Sequence, residues 1–140
     1  MKVFEYLDAR GHGVYSEWYK GLQKRQRAAL DAKIDAVRNA GDPGDARRGE
    51  LPPNLFRGPV RHRQRVYPHT WKLTVNCDAA LRPLACKGPL DDSTEWTILV
   101  PVIEVRGEYP DGCFQKAEDR RQEILNYPLR RREIRGDDDE

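Results

Sequence analysis

The chain lacks any long hydrophobic run. Hydrophobic residues make up 38% and charged residues 34% of its 140 residues, and no stretch approaches the ~20 apolar residues that cross a bilayer. Acids at Glu5 and Asp8 interrupt the N-terminal segment, which argues against a secretory signal because such signals need a continuous apolar region. We therefore expect one compact domain in the cytoplasm, without membrane contact.

Cysteines are few, and the common catalytic motifs are missing. Cys77, Cys86 and Cys113 match neither a disulfide framework nor a CxxC metal knuckle, so we expect thiols that pack as small hydrophobic side chains in a reducing compartment. The sequence has no GxSxG, P-loop, HExxH or GxGxxG motif. We expect neither a cofactor nor a metal site.

Acidic residues are almost absent from the middle of the chain. Between residues 51 and 90 there are seven arginines and lysines and one acid, Asp78, an excess of six positive charges in a chain of net charge +2. These basic residues are Arg57, Arg61, Arg63, Arg65, Lys72, Arg82 and Lys87. Rings lie between them at His62, Tyr67, His69 and Trp71. Cations beside rings suit a phosphate backbone with bases that stack, although such a cluster can also be a solvated surface without a partner.

The first third of the chain predicts a strand followed by helix. Alternating side chains over residues 2–7 predict the strand, and Ser16 is the expected N-cap of the helix. Apolar residues then recur at helical spacing, at Trp18, Leu22, Leu30, Ile34 and Val37. This spacing predicts one long helix or two joined by a kink, with Gly41 as the C-terminal stop.

The remainder predicts a small antiparallel sheet and a closing helix. Residues 42–60 are rich in proline and glycine and are expected to form a loop. Three segments predict strands, over residues 70–75, 80–86 and 96–105. Pro101 cannot donate to a β-ladder, so we expect a bulge there. A helix is predicted over residues 114–125, and residues 129–140 are expected to form a mobile charged tail.

The basic segment also contains side chains suited to RNA cleavage. Attack by the internal 2′-hydroxyl needs a base, an acid and cations that stabilise the crowded phosphorane. Histidine exchanges protons near neutral pH, so His62 and His69, with Tyr67, are candidate proton carriers. The acids that border the last predicted strand, Glu104 among them, are explained well enough by a structural ion pair or a solvated edge.

Several segments together match the pattern of a known family. They are the Trp-x-x-x-Leu run at 18–22, Leu55 to Pro59 before Trp71 to Thr74, Leu81 to Leu84, and Ile98 to Val100 before Pro110, Phe114 and Ala117. With these anchors, residues 1 to 125 resemble the RelE/HigB-type toxins of bacterial toxin–antitoxin systems, especially the phage-related branch near HigB.

The resemblance implies both a fold and a function. The fold would be a single RelE/HigB-like α+β domain over residues 1–128, with an N-terminal strand and a long helix or helix pair packed on a small antiparallel sheet, and a C-terminal helix. Members of that family cut mRNA, often on the ribosome, and are inhibited by a cognate antitoxin protein. Arg82 is the best-matched functional position, and its implied role is to bind or stabilise the scissile phosphate.

We therefore expect a toxin-type endoribonuclease that cleaves mRNA by metal-free 2′-hydroxyl attack. Arg82 and Lys72 would hold the phosphate, while His69 or His62, with Tyr67, would move protons. The cations that would contact the RNA are Arg57, Arg61, Arg63, Arg65, Lys87 and Arg106, and Arg65 would also help to hold the phosphate. The hypothesis requires the cations near the middle strands to converge on one concave site.

Departures from the family pattern keep other functions open. The family's strand arginine falls on Thr74 and its glutamate on Lys72, and its lysine pair falls near Glu104, with only Arg106 nearby. A catalytically degenerate module that binds nucleic acid or an acidic protein partner is the main alternative. A third is action on DNA gyrase, as in ParE-type relatives.

Overall fold

The computed structural model describes residues 1–40 and 55–134. Within them the helices are α1 (Val14–Lys20), α2 (Lys24–Arg38) and α3 (Cys113–Asn126). The strands are β1 (Lys2–Tyr6), β2 (Phe56–Arg57), β3 (Val60–His62), β4 (Arg65–Tyr67), β5 (Trp71–Leu73), β6 (Val75–Asn76), β7 (Ala80–Lys87), β8 (Glu95–Glu104) and β9 (Arg131–Glu133). The predicted α+β class is confirmed at this level. No helix in the described ranges is long and apolar enough to cross a bilayer.

Seven strands form one mainly antiparallel sheet. Its order is β2-β5-β7-β8-β1-β9, and β6 also pairs with β7. The β1 strand runs parallel to β8, whereas the other neighbouring pairs are antiparallel. The β3 and β4 strands form a separate hairpin. The sheet is larger than predicted because β1 inserts beside β8 and β9 extends the edge.

Helices cover both faces of this sheet. The first face packs against α1 and α2 through a core that includes Leu30, Ile34, Val37, Leu73, Leu81 and Ile98. The second face packs against α3 and the β3–β4 hairpin through a core that includes Val60, Leu84, Val100, Val102, Phe114 and Ile124. Cys86 and Cys113 are buried in this second core as expected, but Cys77 is exposed. The predicted spacing of Leu30, Ile34 and Val37 is confirmed as the buried side of α2. In α1 the buried residue is instead Tyr15, and Trp18 is half-buried.

The prediction that Ser16 caps the first helix is wrong, because the cap comes from β1. The Glu5 carboxylate is 1% exposed and accepts hydrogen bonds from the Ser16 backbone N–H, at 2.9 Å, and from the Ser16 hydroxyl. A Cβ at Gly13 would lie 2.1 Å from Glu5 Oε1, so only glycine fits there. A negative group is favourable at a helix N-terminus, and here a strand supplies it.

The long helical segment is divided into two helices, which was one of the predicted alternatives. Gln23 and Gln26 form a reciprocal capping box at the start of α2, because each side chain accepts an N–H that has no partner within the helix. The predicted stop at Gly41 and the first part of the predicted loop lie outside the described residues. The end of that loop prediction is wrong, because β2 and the start of β3 lie within residues 55–60.

The strand predictions around Pro101 need a small correction. The register shift lies between Leu84 and Ala85 and leaves Leu99 as the extra residue of β8. Pro83 and Pro101 stand directly opposite each other. A non-hydrogen-bonded pair needs no N–H donor from either residue toward the other, so neither proline interrupts the pairing of β7 with β8 at this position.

The prediction of a mobile tail is wrong for its first residues. The β9 strand pairs antiparallel with β1, and Arg131 forms an almost buried ion pair with Glu95. Arg132 Nη2 lies 3.3 Å from Glu5 Oε2, and Arg130 Nε donates to the Leu7 carbonyl at 3.0 Å. Basic side chains that read as solvated in the sequence instead neutralise buried carboxylates. Residues 135–140 lie outside the described ranges.

Candidate functional site

The strand register brings charged residues together on the second face of the sheet. Lys72 lies opposite Leu84, and Arg82 lies opposite Val102; both apolar partners belong to the core under α3. Arg57 pairs with Lys72 and shares its face. Alternate residues of a strand point the same way, so Glu104 follows Val102 onto this face.

Side-chain contacts join these residues into one group, which we call the polar cluster: His62, Lys72, Arg82, Glu104 and Tyr109. The Tyr109 hydroxyl donates to Glu104 Oε1, and Arg82 Nε lies 3.9 Å from the same oxygen. Lys72 Nζ lies 5.2 Å from the centre of the Tyr109 ring. The cluster thus places a carboxylate, an ammonium and a phenol within one side-chain length of each other.

His62 reaches the polar cluster from the β3–β4 hairpin. Its ring centre lies 6.3 Å from that of Tyr109 and 5.0 Å from that of Phe114. Tyr67 packs on the same Phe114 ring at 5.4 Å. The hairpin therefore turns His62, Tyr67 and Val60 toward α3, and Arg61 and Arg63 remain exposed on it.

Arg82 is bound more tightly within the protein than the sequence suggests. Its Nη1 donates to the carbonyls of Val75, at 3.2 Å, and Leu81, at 2.9 Å. Its Nη2 donates to Asn76 Oδ1 at 2.8 Å, and its side chain is only 12% exposed. Most of the guanidinium donors are engaged by the β6–β7 hairpin, and Nε lies near Glu104. Arg82 therefore has few donors left for a phosphate.

The surroundings shift the pKa of two members of the cluster. Burial, together with the hydrogen bond to Glu104 and its negative charge, raises the pKa of Tyr109, so the phenol stays protonated and donates. Burial lowers the pKa of Lys72, an effect that Glu104 opposes and that Arg82 and Arg57 reinforce. Lys72 has no ion-pair partner among residues 1–40 and 55–134, so its ammonium is available to an anion.

The other predicted cations do not converge on the polar cluster. Arg61 and Arg63 are exposed on the hairpin, and Arg106 is exposed in the turn that follows β8. Arg65 Nη2 donates to Gln115 Oε1 at 2.7 Å, and its guanidinium lies 5.2 Å from the Tyr67 ring. Of the predicted cations, only Arg57, Lys72 and Arg82 lie near one another on this face of the sheet.

His69 and Lys87 lie together at the opposite end of β7. They line a cavity of about 160 Å³, here called the Lys87 pocket, with Pro68, Trp71, Asp92 and Arg121. The His69 backbone N–H and the Thr70 hydroxyl both donate to Glu118 on α3. His69 is thus separated from His62, and the structure brings only His62 to the polar cluster.

Two members of the cluster were not among the predicted site residues. Glu104 was assigned a structural role, and Tyr109 was not considered. Glu104 follows the buried Val100 and Val102 at two-residue spacing, a signal that an acid ends the apolar side of a central strand. No sequence signal places Tyr109 against it, because that contact depends on the turn between Val105 and Glu108.

Comparisons with known proteins add no family to this geometry. No family model matches the chain, and no curated protein or solved structure matches it. Across the part of the chain that the structure describes, no three His, Cys, Asp or Glu side chains are grouped to hold a metal ion. The RelE/HigB-like assignment therefore stays a prediction from the sequence.

Proposed function

We propose that this chain is a metal-free endoribonuclease whose active site is the polar cluster. One observation carries the proposal: a carboxylate, an imidazole and an ammonium that has no ion-pair partner in the described residues lie around the Tyr109 side chain, at Glu104, His62 and Lys72. These are the groups that cleavage by the neighbouring 2′-hydroxyl requires, namely a base, an acid and a cation.

The proposed reaction transfers two protons and needs no metal ion. The 2′-hydroxyl oxygen attacks the phosphorus and gives its proton to Glu104. The bond from phosphorus to the 5′-oxygen then breaks, and protonated His62 gives its proton to that oxygen. The products are a 2′,3′-cyclic phosphate and a 5′-hydroxyl end. Lys72 offsets the negative charge that develops on the phosphorane.

Arg82 and Tyr109 serve this reaction as positioning residues. Both contact the same carboxylate oxygen of Glu104, which leaves the second oxygen to accept the proton. Their hydrogen bonds fix the direction of the carboxylate, as a base must be held within hydrogen-bond reach of the proton it takes. The implied phosphate-binding role of Arg82 thus passes to Lys72, with Arg57 beside it on the same face.

The sequence resemblance extends the proposal to a substrate and a partner. RelE/HigB-type toxins cut mRNA, often on the ribosome, so mRNA is the proposed substrate and an antitoxin protein the proposed inhibitor. The exposed cations of the hairpin, Arg61 and Arg63, suit contact with an RNA backbone, because cations on one surface attract a polyanion over a distance.

The test is cleavage of a labelled RNA in the presence of EDTA. We expect a 2′,3′-cyclic phosphate product, and no cleavage of the same oligonucleotide with a 2′-deoxyribose at the scissile position. A translating extract provides the ribosome-bound substrate as a second arm. Folded protein that cleaves neither free RNA nor ribosome-bound mRNA would overturn the proposal.

RNA binding without cleavage is the second candidate. It is favoured by the internal pairing of Arg82 and Glu104, which leaves fewer free charges than an active site of independent groups. Binding that weakens with salt, with intact RNA after long incubation, would establish it. Binding of an acidic protein partner would show the same salt dependence, but added RNA would not compete with it.

A further inference from the structure

The Lys87 pocket exists because β5 and β7 differ in length. The first residue of β5, Trp71, pairs with Ala85, and β7 continues through Cys86 and Lys87 without a partner from β5. The chain before β5 turns away at Pro68 and His69. The resulting gap at the sheet edge is closed on its other side by Arg121 of α3 and by Asp92.

Two permanent cations line this pocket without a carboxylate partner. Neither Lys87 nor Arg121 forms an ion pair within the described ranges. The Lys87 ammonium instead lies 4.8 Å from the centre of the Trp71 ring. Arg121 is half-buried between the inward-facing residues of α3, where a guanidinium has fewer waters to satisfy its five donors.

We propose that the Lys87 pocket is a phosphate subsite that holds a backbone phosphate of the RNA several nucleotides from the cleaved bond. This inference rests on the proposed function of the polar cluster. Lys87 would neutralise the phosphate as a point charge, and the planar Arg121 guanidinium would donate to two of its oxygens. A backbone phosphate suits the pocket better than a base, because Lys87 and the Gly58 backbone already contact the Trp71 ring.

The distance between the two sites requires an RNA longer than a dinucleotide. Lys87 lies five residues from Arg82 on β7, which corresponds to about 17 Å at 3.3 Å per residue. The odd separation points Arg82 and Lys87 to opposite faces of the sheet, so an RNA that occupies both sites must pass around the end of β5. A dinucleotide is too short for that path, whereas a longer oligonucleotide can span it. The subsite therefore predicts a dependence of affinity on RNA length.

Asp92 gives the proposal a variant with the opposite sign. It is exposed at the rim of the pocket, and its Oδ1 lies close to Gly88, so its charge opposes an incoming phosphate. Asp92→Asn removes that charge with little change of shape. We expect it to tighten binding of a long RNA, while Lys87→Gln and Arg121→Gln weaken binding.

The experiment measures binding of a 2′-O-methyl octanucleotide, which has no free 2′-hydroxyl and is not cleaved, at several salt concentrations. The Lys87→Gln/Arg121→Gln double variant should lose about tenfold in affinity. Its plot of log K against log salt should be shallower by about 0.7 for one lost phosphate contact on a single strand. The control is Lys24→Gln, which removes one charge from the start of α2, as Lys87→Gln alone does from the pocket. Lys87→Gln alone keeps the test valid if Arg121 is needed for folding.

Inorganic phosphate is the second probe. It should shift the NMR signal of the Trp71 indole N–H in the wild type and not in the double variant. If inorganic phosphate binds but Lys87→Gln leaves the octanucleotide affinity unchanged, the pocket binds free phosphate and the proposed RNA subsite is overturned. Equal losses for Lys24→Gln and Lys87→Gln would also overturn it.

These outcomes separate the subsite from the nuclease. Cleavage of a dinucleotide, together with octanucleotide binding that is insensitive to Lys87, would leave the nuclease and remove the subsite. Octanucleotide binding that depends on Lys87 and Asp92, without cleavage of any RNA, would keep the subsite and remove the nuclease.

Discussion

The two ends of β7 carry the same kind of charge in different states. At one end the Arg82 guanidinium donates to two backbone carbonyls and to Asn76. At the other end Lys87 rests on a Trp71 ring and has no carboxylate partner in the described residues. In the sequence the two residues belong to one basic segment and look alike. The difference teaches that a count of cations does not separate those that hold the fold from those that can hold a ligand.

The distinction follows from the acceptors that lie within reach. Arg82 lies beside the short β6 strand, whose carbonyls and Asn76 present oxygen atoms to its planar fork. Lys87 lies where β7 extends beyond the end of β5, and its ammonium lies over the face of the Trp71 ring. A change at the Arg82 end should therefore affect both chemistry and stability, and a change at the Lys87 end should affect binding.

The largest expected effect is the loss of cleavage on Glu104→Gln. The amide keeps an acceptor for the Tyr109 hydroxyl but does not take the proton of the 2′-hydroxyl, so the cleavage rate should fall by about 10²- to 10⁴-fold. Initial rates on a labelled RNA measure this. Glu108→Gln, in the exposed turn after β8, is the matched control and should keep the wild-type rate.

Lys72→Met should have the next largest effect on cleavage, about 100-fold, or roughly 3 kcal/mol of transition-state stabilisation. The methionine fills similar space without an ammonium, so the folded state should not be weakened. A lower rate accompanied by a lower melting temperature would instead indicate that Lys72 supports the fold. Thermal unfolding and initial rates should be measured on the same preparation.

The same variant has a predicted pH dependence. The pKa of Lys72 is lowered in the folded chain from its ordinary value of 10.5, mainly by burial. Between the folded and unfolded pKa values the unfolded chain binds more protons, so the wild type gains stability as pH rises through that window. Lys72→Met should lack this gain. Urea unfolding at increasing pH measures it, and parallel curves for the two proteins would contradict the shift.

Arg82→Ala should destabilise the fold by about 2 kcal/mol, because it leaves buried acceptors and the Glu104 carboxylate without their donor. This departs from a purely catalytic role, for which the fold would be unaffected. Arg61→Ala, an exposed change in the same basic segment, should stay within about 0.5 kcal/mol of the wild type. Equal melting temperatures for the two variants would contradict the distinction between cations that support the fold and cations that can bind a ligand.

The smallest effect concerns the hairpin that carries His62 to the polar cluster. Its turn residues Arg63 and Gln64 have φ values of 51° and 67°, in the region that favours glycine. Gln64→Gly should stabilise the chain by about 1 kcal/mol without changing cleavage. Chemical denaturation measures the gain. A lower stability would show that the turn does not hold this strain.

Local sequence rules predicted many of the secondary-structure elements. Helical spacing identified the apolar sides of the helices, and alternation identified β1, β7 and β8 within a residue or two. Capping at Ser16 failed because the partner, Glu5, comes from another element. The β9 strand was not predicted because it consists of three charged residues. Its pairing is supported by an ion pair between Arg131 and the buried Glu95, which the local sequence does not reveal.

The candidate site was predicted only in part, for a similar reason. His62, Lys72 and Arg82 were named from their residue types and reached one site, while His69 and Lys87 formed another. The sequence predicted only a structural or solvated role for Glu104, because its partners Tyr109 and Arg82 lie on other parts of the chain. The sequence shows which chemical groups are present, but it does not show which groups from distant segments lie close together.

Local sequence patterns are enough to predict the α+β class, the buried sides of α2 and of the central strands, and the basic excess of the middle segment. These depend on periodicity and charge, which act between neighbours along the chain. Which cations donate to backbone oxygens, as Arg82 does, and which lack a carboxylate partner in the described residues, as Lys87 does, depends on the fold. Strand register and the ends of unequal strands set that outcome, because hydrogen bonds and ion pairs act only over a few ångströms.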